Sequence, residues 1–255
     1  MSILIANYNN EQYLTRCIDS VKKQTYQNIE IIIHDDSSSD NSIKRINKYK
    51  NIKIIMNKKR GKCGSYNQMN AYKRAFKKSN GEFVFFLDSD DLFKKNKIKD
   101  IISKFSKNKK ISSLFDLPIY KYKKKLKFIK NKKKFISNYW PYIPPQSCIA
   151  MKREEFKKTF NKINFNLFPD IWMDFRIGVY LKFIKKNFCV LEENLTYYRQ
   201  SEEMISANFK FLSFAWWKRR KQAHDYVKYF FFKNNVRHLK NLDYLLTNCI
   251  NFFIK

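Results

Sequence analysis

The sequence predicts an α/β fold, a mostly parallel sheet flanked by helices, with amphipathic helices at the C-terminus. Two observations carry this expectation. Short, wholly apolar runs alternate with segments of helical periodicity over roughly the first 90 residues, and polar loops rich in Asn, Asp and Ser close the runs. The resulting β-α-β-α-β-α-β order suits strands covered by helices on both faces, and ligands of such sheets sit beyond the carboxyl ends of the strands. At 255 residues the chain suffices for one large buried core without disulfides.

Ile3-Leu4-Ile5 is the first predicted strand and runs into the polar Asn7-Tyr8-Asn9-Asn10. Tyr13, Leu14, Cys17, Ile18 and Val21 then share a helical face, with Asn10 as N-cap and Lys22-Lys23 well placed against the C-terminal dipole. Ile29 to Ile33 is a second strand, ending in His34-Asp35-Asp36-Ser37-Ser38-Ser39-Asp40, a turn whose side chains can bond their own backbone. A helix is expected through Ile43, Ile46 and Tyr49, a third strand over Ile52 to Met56, and a helix through Met69, Tyr72 and Phe76 closed by Asn80-Gly81. Phe83 to Leu87 is the strongest strand signal and delivers Asp88-Ser89-Asp90-Asp91 to the rim that carries Tyr8 and Asp36. Ile98, Ile101, Ile102 and Phe105 mark a further helix, after which the alternation fades. Lys121 to Lys134 reads as an exposed hairpin or helix face, Pro141 to Pro145 as a rigid loop, and Cys148 to Met151 as a returning strand. From Phe209 to Lys255 the chain reads as helices with Phe and Trp on one side and Lys and Arg on the other.

Composition narrows the class. With 53 Lys+Arg against 22 Asp+Glu the formal charge is +31, which either attracts polyanions (nucleic acid, anionic lipid, phosphorylated substrates) or is solvated surface. No helix-turn-helix, RNA-recognition or zinc motif accompanies it, so no nucleic-acid partner is expected. The five scattered cysteines form no C-x-x-C pair and fit a reducing cytoplasm. No apolar run approaches the ~20 residues that span a bilayer. A cytoplasmic protein, or one peripheral on the inner face of the plasma membrane, is expected.

Carboxylates crowded at Asp88, Asp90 and Asp91 repel one another unless something positive sits between them. A hard divalent cation, Mn²⁺ or Mg²⁺, suits carboxylate oxygen and is often shared with substrate phosphates. The same residues also suit a helix N-terminus. Asp36 taken alone is equally an Asx turn or N-cap; its place on the same rim as Asp88 raises its interest.

Several ordered motifs together resemble family-2 glycosyltransferases of the GT-A fold, a Rossmann-like architecture. Ile3 to Asn9 is similar to the family's opening strand, and Ser20-Val21-x-x-Gln24-Thr25-Tyr26 resembles the motif closing its first helix. Asp35 to Asp40 looks like its Asp-Asp-Gly-Ser-x-Asp loop, and Gly81 to Asp91 its Gly-Glu-Tyr strand and Asp-x-Asp. The resemblance implies that Ala6, Tyr8, Asp36, Asp88, Ser89 and Arg199 bind the nucleotide sugar. Tyr8 would lie against the base, Asp36 would accept from the base imide, and Asp90 with Asp88 would serve the metal. Ordinary strand-end packing is the other reading of Tyr8.

The second half matches more loosely. Ile171 to Ile177 resembles the segment in which a Glu-Asp pair opens a helix and the Asp is the catalytic base, which makes Asp174 the candidate; Met173 stands in place of the Glu. Asp170 is a competing base, and helix capping a third reading. Leu195 to Ser201 resembles a Tyr-Arg-x-His motif with Ser201 at the histidine position, followed by Ile205-Ser206. Arg199 suits either the donor diphosphate or a pair with Glu192 or Glu193.

The expected organisation is a catalytic domain over 1–207, with a nucleotide-sugar half 1–95 and an acceptor half 96–207, followed by basic and aromatic helices over 208–255. The expected activity is inverting transfer of a sugar, UDP-linked, to a hydroxyl of a growing surface glycan of capsule, lipooligosaccharide or O-antigen type. Its partners would be the nucleotide-sugar donor, a glycan or lipid-linked glycan acceptor, and an anionic membrane surface. That surface would meet Lys121 to Lys134 and the segment Phe214 to Lys221, which a core-packed amphipathic helix explains equally. A polyanion binder and an inactive relative, given Met173 and Ser201, are the alternatives.

Overall fold

The computed structural model describes residues 1–61, 63–130, 133, 140, 142–163, 166–201, 209–238 and 240–254. Its first part alternates as expected: β1 (Ser2–Asn7), α1 (Glu11–Lys22), β2 (Glu30–Asp35), α2 (Ser42–Ile46), β3 (Ile52–Met56), α3 (Gly64–Lys77) and β4 (Phe83–Asp88). Then follow β5 (Leu92–Phe93), α4 (Lys97–Lys107), β6 (Ser113–Tyr122), β7 (Lys125–Phe128), β8 (Ile149–Lys152), α5 (Arg153–Lys162) and α6 (Met173–Val179). A π-helical turn over Tyr180–Lys185 leads to β9 (Phe188–Gln200), and α7 (Phe214–Lys233) and α8 (Leu242–Phe253) complete the chain.

The strands form one sheet in the order β3-β2-β1-β4-β8-β6-β9-β5, with β7 paired to β6. β1 to β4 are mutually parallel, β8 runs antiparallel to β4 and β6, and β9 lies parallel to β6. Chain order reverses at β1, which has β2 on one side and β4 on the other. That reversal opens a crevice at the carboxyl end of β1.

Successive residues of the central strands feed two cores. Leu4, Ile32, Val84 and Phe86 pack toward α3, α5, α6 and α7, whereas Ile3, Ile5, Ile33, Phe85 and Leu87 pack toward α1 and α4. Because both faces are covered, the strands carry no polar alternation. Truncating Phe86, which is fully buried, to Ala costs about 3–5 kcal/mol.

Several local expectations are corrected. Asn10 stands at the N-cap of α1 but does not cap it; its Nδ2 donates to Ser89 Oγ at 2.7 Å, and Asp40 Oδ2 accepts the Glu11 N–H at 2.9 Å instead. The helix through Ile43 stops at Ile46, and the Tyr49 hydroxyl donates to Asp19 Oδ1 at 2.8 Å from the turn beyond it. α3 ends at Lys77; Gly81 lies in the turn before β4, where a Cβ would come within 2.6 Å of Ser2 N. Asp91 leads into β5 rather than a helix, which removes the helix-start reading of the acidic run.

Lys121 to Phe128 is an exposed hairpin whose turn places Lys123 at φ 50. The remainder of that basic stretch at 131, 132 and 134 lies outside the described residues, as do Pro141, Ile205-Ser206 and the boundary between 207 and 208. The expected division of the C-terminal helices into aromatic and cationic sides fails: Arg219 is buried on the inner side of α7, and large apolar side chains are exposed on α8. Among the described residues no helix is long and apolar enough to cross a membrane.

Candidate active site

A cavity of about 1060 Å³ opens at the crevice beside β1 and gathers Ala6, Tyr8, Asp36, Asp88, Ser89, Asp90, Asp174 and Arg199 along its walls. Ala6 pairs with Asp88 across β1 and β4, and its carbonyl accepts the Ser89 N–H at 3.3 Å. The rim loops clasp each other: Asn7 Nδ2 donates to Asp35 Oδ2 at 2.7 Å and the Asn9 N–H to Ser38 Oγ at 3.0 Å. Asp35 and Asp40 are spent on these loop contacts, which leaves Asp36 facing the cavity. Asp36 accepts from Asn57 Nδ2 at 2.8 Å and from Arg60 Nε at 3.0 Å, while the Arg60 guanidinium lies 3.4 Å from the Tyr8 ring centroid. An aromatic face, an acceptor-only carboxylate and guanidinium donors thus meet at one end of the cavity.

The acidic loop lies further along. Asp88 Oδ1 accepts from Gln68 Nε2 at 2.8 Å, the Tyr72 hydroxyl at 2.7 Å and Gln146 Nε2 at 2.7 Å, and Oδ2 accepts from Gln146 Nε2 at 2.6 Å. Desolvation raises its pKa, against the pull of these donors. Asp91 Oδ1 accepts the Arg199 N–H at 2.8 Å, and burial, then its acidic neighbours, push Asp91 well above the usual carboxylate range. Asp90 is different. It faces the cavity opposite Arg199 Nη1 at 3.6 Å, and desolvation followed by the charge of Asp88 lifts its pKa to about 6, with Arg199 opposing.

Arg199 stacks on Tyr13 with its guanidinium 3.5 Å from the ring centroid and donates to the Tyr13 hydroxyl. Among the described residues it pairs with Asp90, and Glu193 pairs instead with Lys104 at 2.9 Å. Ser201 lines the same wall, its Oγ buried with no hydrogen-bond partner.

These residues fit a hard divalent cation. The carboxyl groups are crowded and hold their protons more tightly than usual, Asp91 Oδ2 is buried without a partner, and Asp90 is turned to the cavity. Among the described residues no group of three or more His, Cys, Asp or Glu is placed to hold a metal ion by itself.

Asp174 sits in the first turn of α6, where its Oδ1 accepts the Phe175 N–H at 2.8 Å. Burial raises its pKa to about 7, with the Phe175 N–H and then Arg219 pulling the other way. Asp170 is engaged elsewhere: Oδ2 accepts from Gln222 Nε2 at 2.7 Å and its carbonyl from Arg219 Nε at 2.8 Å. Both carboxylates border the cavity, but their contacts differ: Asp170 is tied to Gln222 and, through its carbonyl, to Arg219 of α7, whereas the Asp174 carboxyl group accepts from the N–H of its own helix turn.

Sequence reasoning missed Arg60, Gln68, Gln146 and Arg219. Arg219 was visible only as one cation in an aromatic helix; in the fold its guanidinium lies between Trp172 and Phe209, 4.1 Å from each ring centroid. Gln146 carries no local signal, since only the tertiary fold brings it under Asp88.

Behind the acidic loop a buried polar knot fixes its support. Lys97 Nζ donates to Asp116 Oδ1 at 2.6 Å, to the Ser147 carbonyl at 2.7 Å and to Thr196 Oγ1 at 2.5 Å, and Thr196 Oγ1 donates to Asp116 Oδ2 at 2.7 Å. Ser147 Oγ in turn accepts the Asp88 N–H at 3.0 Å.

The sequence profile described as Glycosyl transferase family 2 matches residues 2–168. The chain belongs to this family. A relative described as an uncharacterized glycosyltransferase, from Nostoc sp., is 33% identical over 213 residues, covering 78% of this chain and 64% of that protein. The UDP-Glc:α-D-GlcNAc-diphosphoundecaprenol β-1,3-glucosyltransferase WfgD of Escherichia coli is 38% identical over 108 residues, 42% of each chain. The chain thus spans less than two thirds of the length of these two relatives. Among solved structures, TarS of Staphylococcus aureus in complex with UDP-GlcNAc superposes with a TM-score of 0.67 at 19% identity, covering 88% of this chain and 65% of that one. The mannosyltransferase PcManGT of Pyrobaculum calidifontis, in complex with GDP-Man and Mn²⁺, gives 0.61 at 14% identity, covering 97% and 68%. At those identities the structural likeness establishes the fold, the GT-A arrangement expected of a family-2 chain.

Proposed function

We propose that this family-2 chain is an inverting, metal-assisted glycosyltransferase that moves a sugar from a UDP-sugar to a hydroxyl of a growing surface glycan carried on lipid at the cytoplasmic membrane face. The observation that carries the reading is one cavity whose lining brings together Tyr8, Asp36 and Arg60, the Asp90 carboxylate, and Asp174. The relatives' names support the substrate classes: WfgD takes UDP-Glc to a diphosphoundecaprenol-linked sugar, and TarS is a poly(ribitol-phosphate) β-N-acetylglucosaminyltransferase.

Each step rests on a named group. Tyr8 offers a face for the base, and Asp36 accepts from an imide N–H, which uracil has and cytosine lacks. Arg199, which faces Asp90, and Arg219, which acts on Asp174, are cations of the cavity wall and would bear on the departing diphosphate. Asp90, with Asp88 beside it, would hold Mn²⁺ or Mg²⁺, which when bound neutralises charge on the diphosphate. Asp174 takes the acceptor hydroxyl proton as that oxygen attacks the anomeric carbon and the carbon–diphosphate bond breaks on the opposite side. The configuration inverts, and the proton ends on Asp174.

The test is UDP release from a panel of UDP-sugars with Mn²⁺, with and without a lipid-diphosphate sugar acceptor. Acceptor-dependent release of UDP with a product of inverted anomeric configuration is expected. Retention of configuration, or release from CDP-sugars in preference to UDP-sugars, overturns the reading.

A further inference from the structure

The last helix is built inside out. Leu242, Leu245, Leu246, Cys249, Phe252 and Phe253 recur at the three- and four-residue spacing of a single helical face, yet this face is turned to solvent: Leu242 is 81% exposed, Phe252 70% and Phe253 77%. The inward face is the polar one. Asp243 accepts from Arg220 Nη2 at 2.7 Å and contacts His224 Nε2 at 2.8 Å, Asn248 Oδ1 accepts from Lys221 Nζ at 3.2 Å, and Asn251 Nδ2 donates to the Trp217 carbonyl at 3.1 Å. Hydrogen bonds rather than apolar packing therefore hold α8 against α7, and the register of those bonds fixes the Leu/Phe stripe outward.

The surroundings of the stripe say what it meets. From Tyr244 to Ile254 no residue is charged, so the stripe itself is uninterrupted. At the N-terminal end of α8, Lys228 and Lys240 are exposed and both bear electrostatically on His238, whose ring packs 5.2 Å from that of Tyr244. At the other end, the Asn251–Trp217 bond brings the C-terminal turns of α8 beside the start of α7, where Phe211 is 75% exposed and stacks edge-on at 5.1 Å from Trp216. An apolar stripe with cations at one end and indole and phenyl rings at the other is the pattern of a helix lying in a bilayer interface. A second copy of this chain is a poor occupant, because two surfaces of a protein with net charge +31 repel.

We propose that the outward face of α8 lies on an anionic lipid surface and sets the orientation of the enzyme on it. This inference deepens the functional reading above and rests on it for the lipid-carried acceptor. Trp216 and Arg219, on the first turns of α7, also line the active-site cavity, so the helix on which α8 is seated forms part of the cavity wall. A sugar held by a lipid diphosphate in the plane of the membrane would reach Asp174 from that side.

Vesicle flotation of the full chain tests this, with phosphatidylglycerol/phosphatidylcholine vesicles against phosphatidylcholine alone. The wild type is expected to float with the anionic vesicles, and the fourfold variant Leu245→Gln, Leu246→Gln, Phe252→Ser, Phe253→Ser to partition at least tenfold less. Donor hydrolysis in vesicle-free buffer should stay unchanged, which separates failure of the docking from failure of the transferase reading. Because these side chains are exposed, the variant should keep the wild-type melting temperature. A second variant, Lys228→Glu with Lys240→Glu, should weaken flotation and flatten its salt dependence. Equal flotation of wild type and fourfold variant, or no flotation of the wild type, overturns the proposal. So does a wild-type dimer in sedimentation velocity that the fourfold variant dissociates, since the stripe would then be a contact between copies.

Discussion

In the parallel half of the sheet, Tyr8, Asp36 and Asp88 each stand at or just past a strand end; Asp36 is held by the nearby Asn57 and Arg60, whereas Asp88 also draws on Gln146 and Ser147 of the mixed half. In the mixed half, Gln146, Asp174, Arg199 and Arg219 come from four separate segments and converge only through long-range contacts. The first arrangement ties chemistry to strand ends, so its residues depend on local geometry. The second depends on the buried Lys97–Asp116 pair and on Arg176, whose guanidinium is fully buried and donates to the carbonyls of Leu167 and Phe168 at 2.8 and 2.6 Å. The nucleotide contacts proposed for Tyr8 and Asp36 would therefore rest on local geometry, and the proton transfer proposed for Asp174 on the whole fold.

The contrast can be broken most sharply at the base. Asp174→Asn should lower kcat by about 10²–10⁴-fold with little change in donor KM, as loss of a positioned general base does. Asp170→Asn should chiefly lower the melting temperature, since Asp170 fastens α7. Equal kinetic losses in the two variants would show that the carboxylates are not divided as their contacts suggest.

The support of the mixed half comes next in size. Lys97→Met leaves Asp116 buried without its cation and should cost about 3–5 kcal/mol in urea unfolding. The double variant Lys97→Met, Asp116→Leu should recover much of that loss, because replacing both partners removes the uncompensated charge. No recovery would mean that the pair is needed for the geometry of the acidic loop as well.

In the parallel half, Asp36→Asn should raise donor KM about tenfold or more, the worth of a hydrogen bond to a charged acceptor, while kcat moves less. A fall in kcat alone would place Asp36 in the chemical step.

The pH dependence should be smaller and separable. With its pKa raised to about 7, Asp174 is protonated below that pH and cannot accept a proton, so kcat/KM should fall tenfold per unit as pH drops below 7 and level off above it. Arg219 holds that pKa down, so Arg219→Gln should move the limb to higher pH. An unmoved limb would assign it to another group.

The parallel half was largely legible in the sequence because strands buried on both faces write themselves as unbroken apolar runs, and the rim loops follow each run directly. Tyr8, Asp36 and Asp88 to Asp91 could be read for that reason. The acidic run gave no hint, however, that Asp88 is wrapped by Gln68, Tyr72 and Gln146 while Asp90 faces the cavity; that division depends on α3 and on the segment before β8. Arg60 and Arg219 were hidden among 53 basic residues, most of which look alike from composition. In α8 the helical period was visible but its orientation was not, since hydrophobic spacing tells which residues share a face and leaves open whether that face is inward.

The last strand also governs how the chain reaches its folded state. β9 pairs with β6 from Ser113↔Phe188 onward and with β5 at Leu92↔Tyr197, and its Arg199 N–H closes onto Asp91. Those are contacts between distant parts of the sequence, and pairings of that kind are slow to form because a long loop must close first. On the ribosome, β1 to β4 can assemble while the partner strand of β6 is still unsynthesised. The acidic loop then receives its final hydrogen bonds only when residue 199 has emerged and docked, so completion of the candidate site is among the last events of folding.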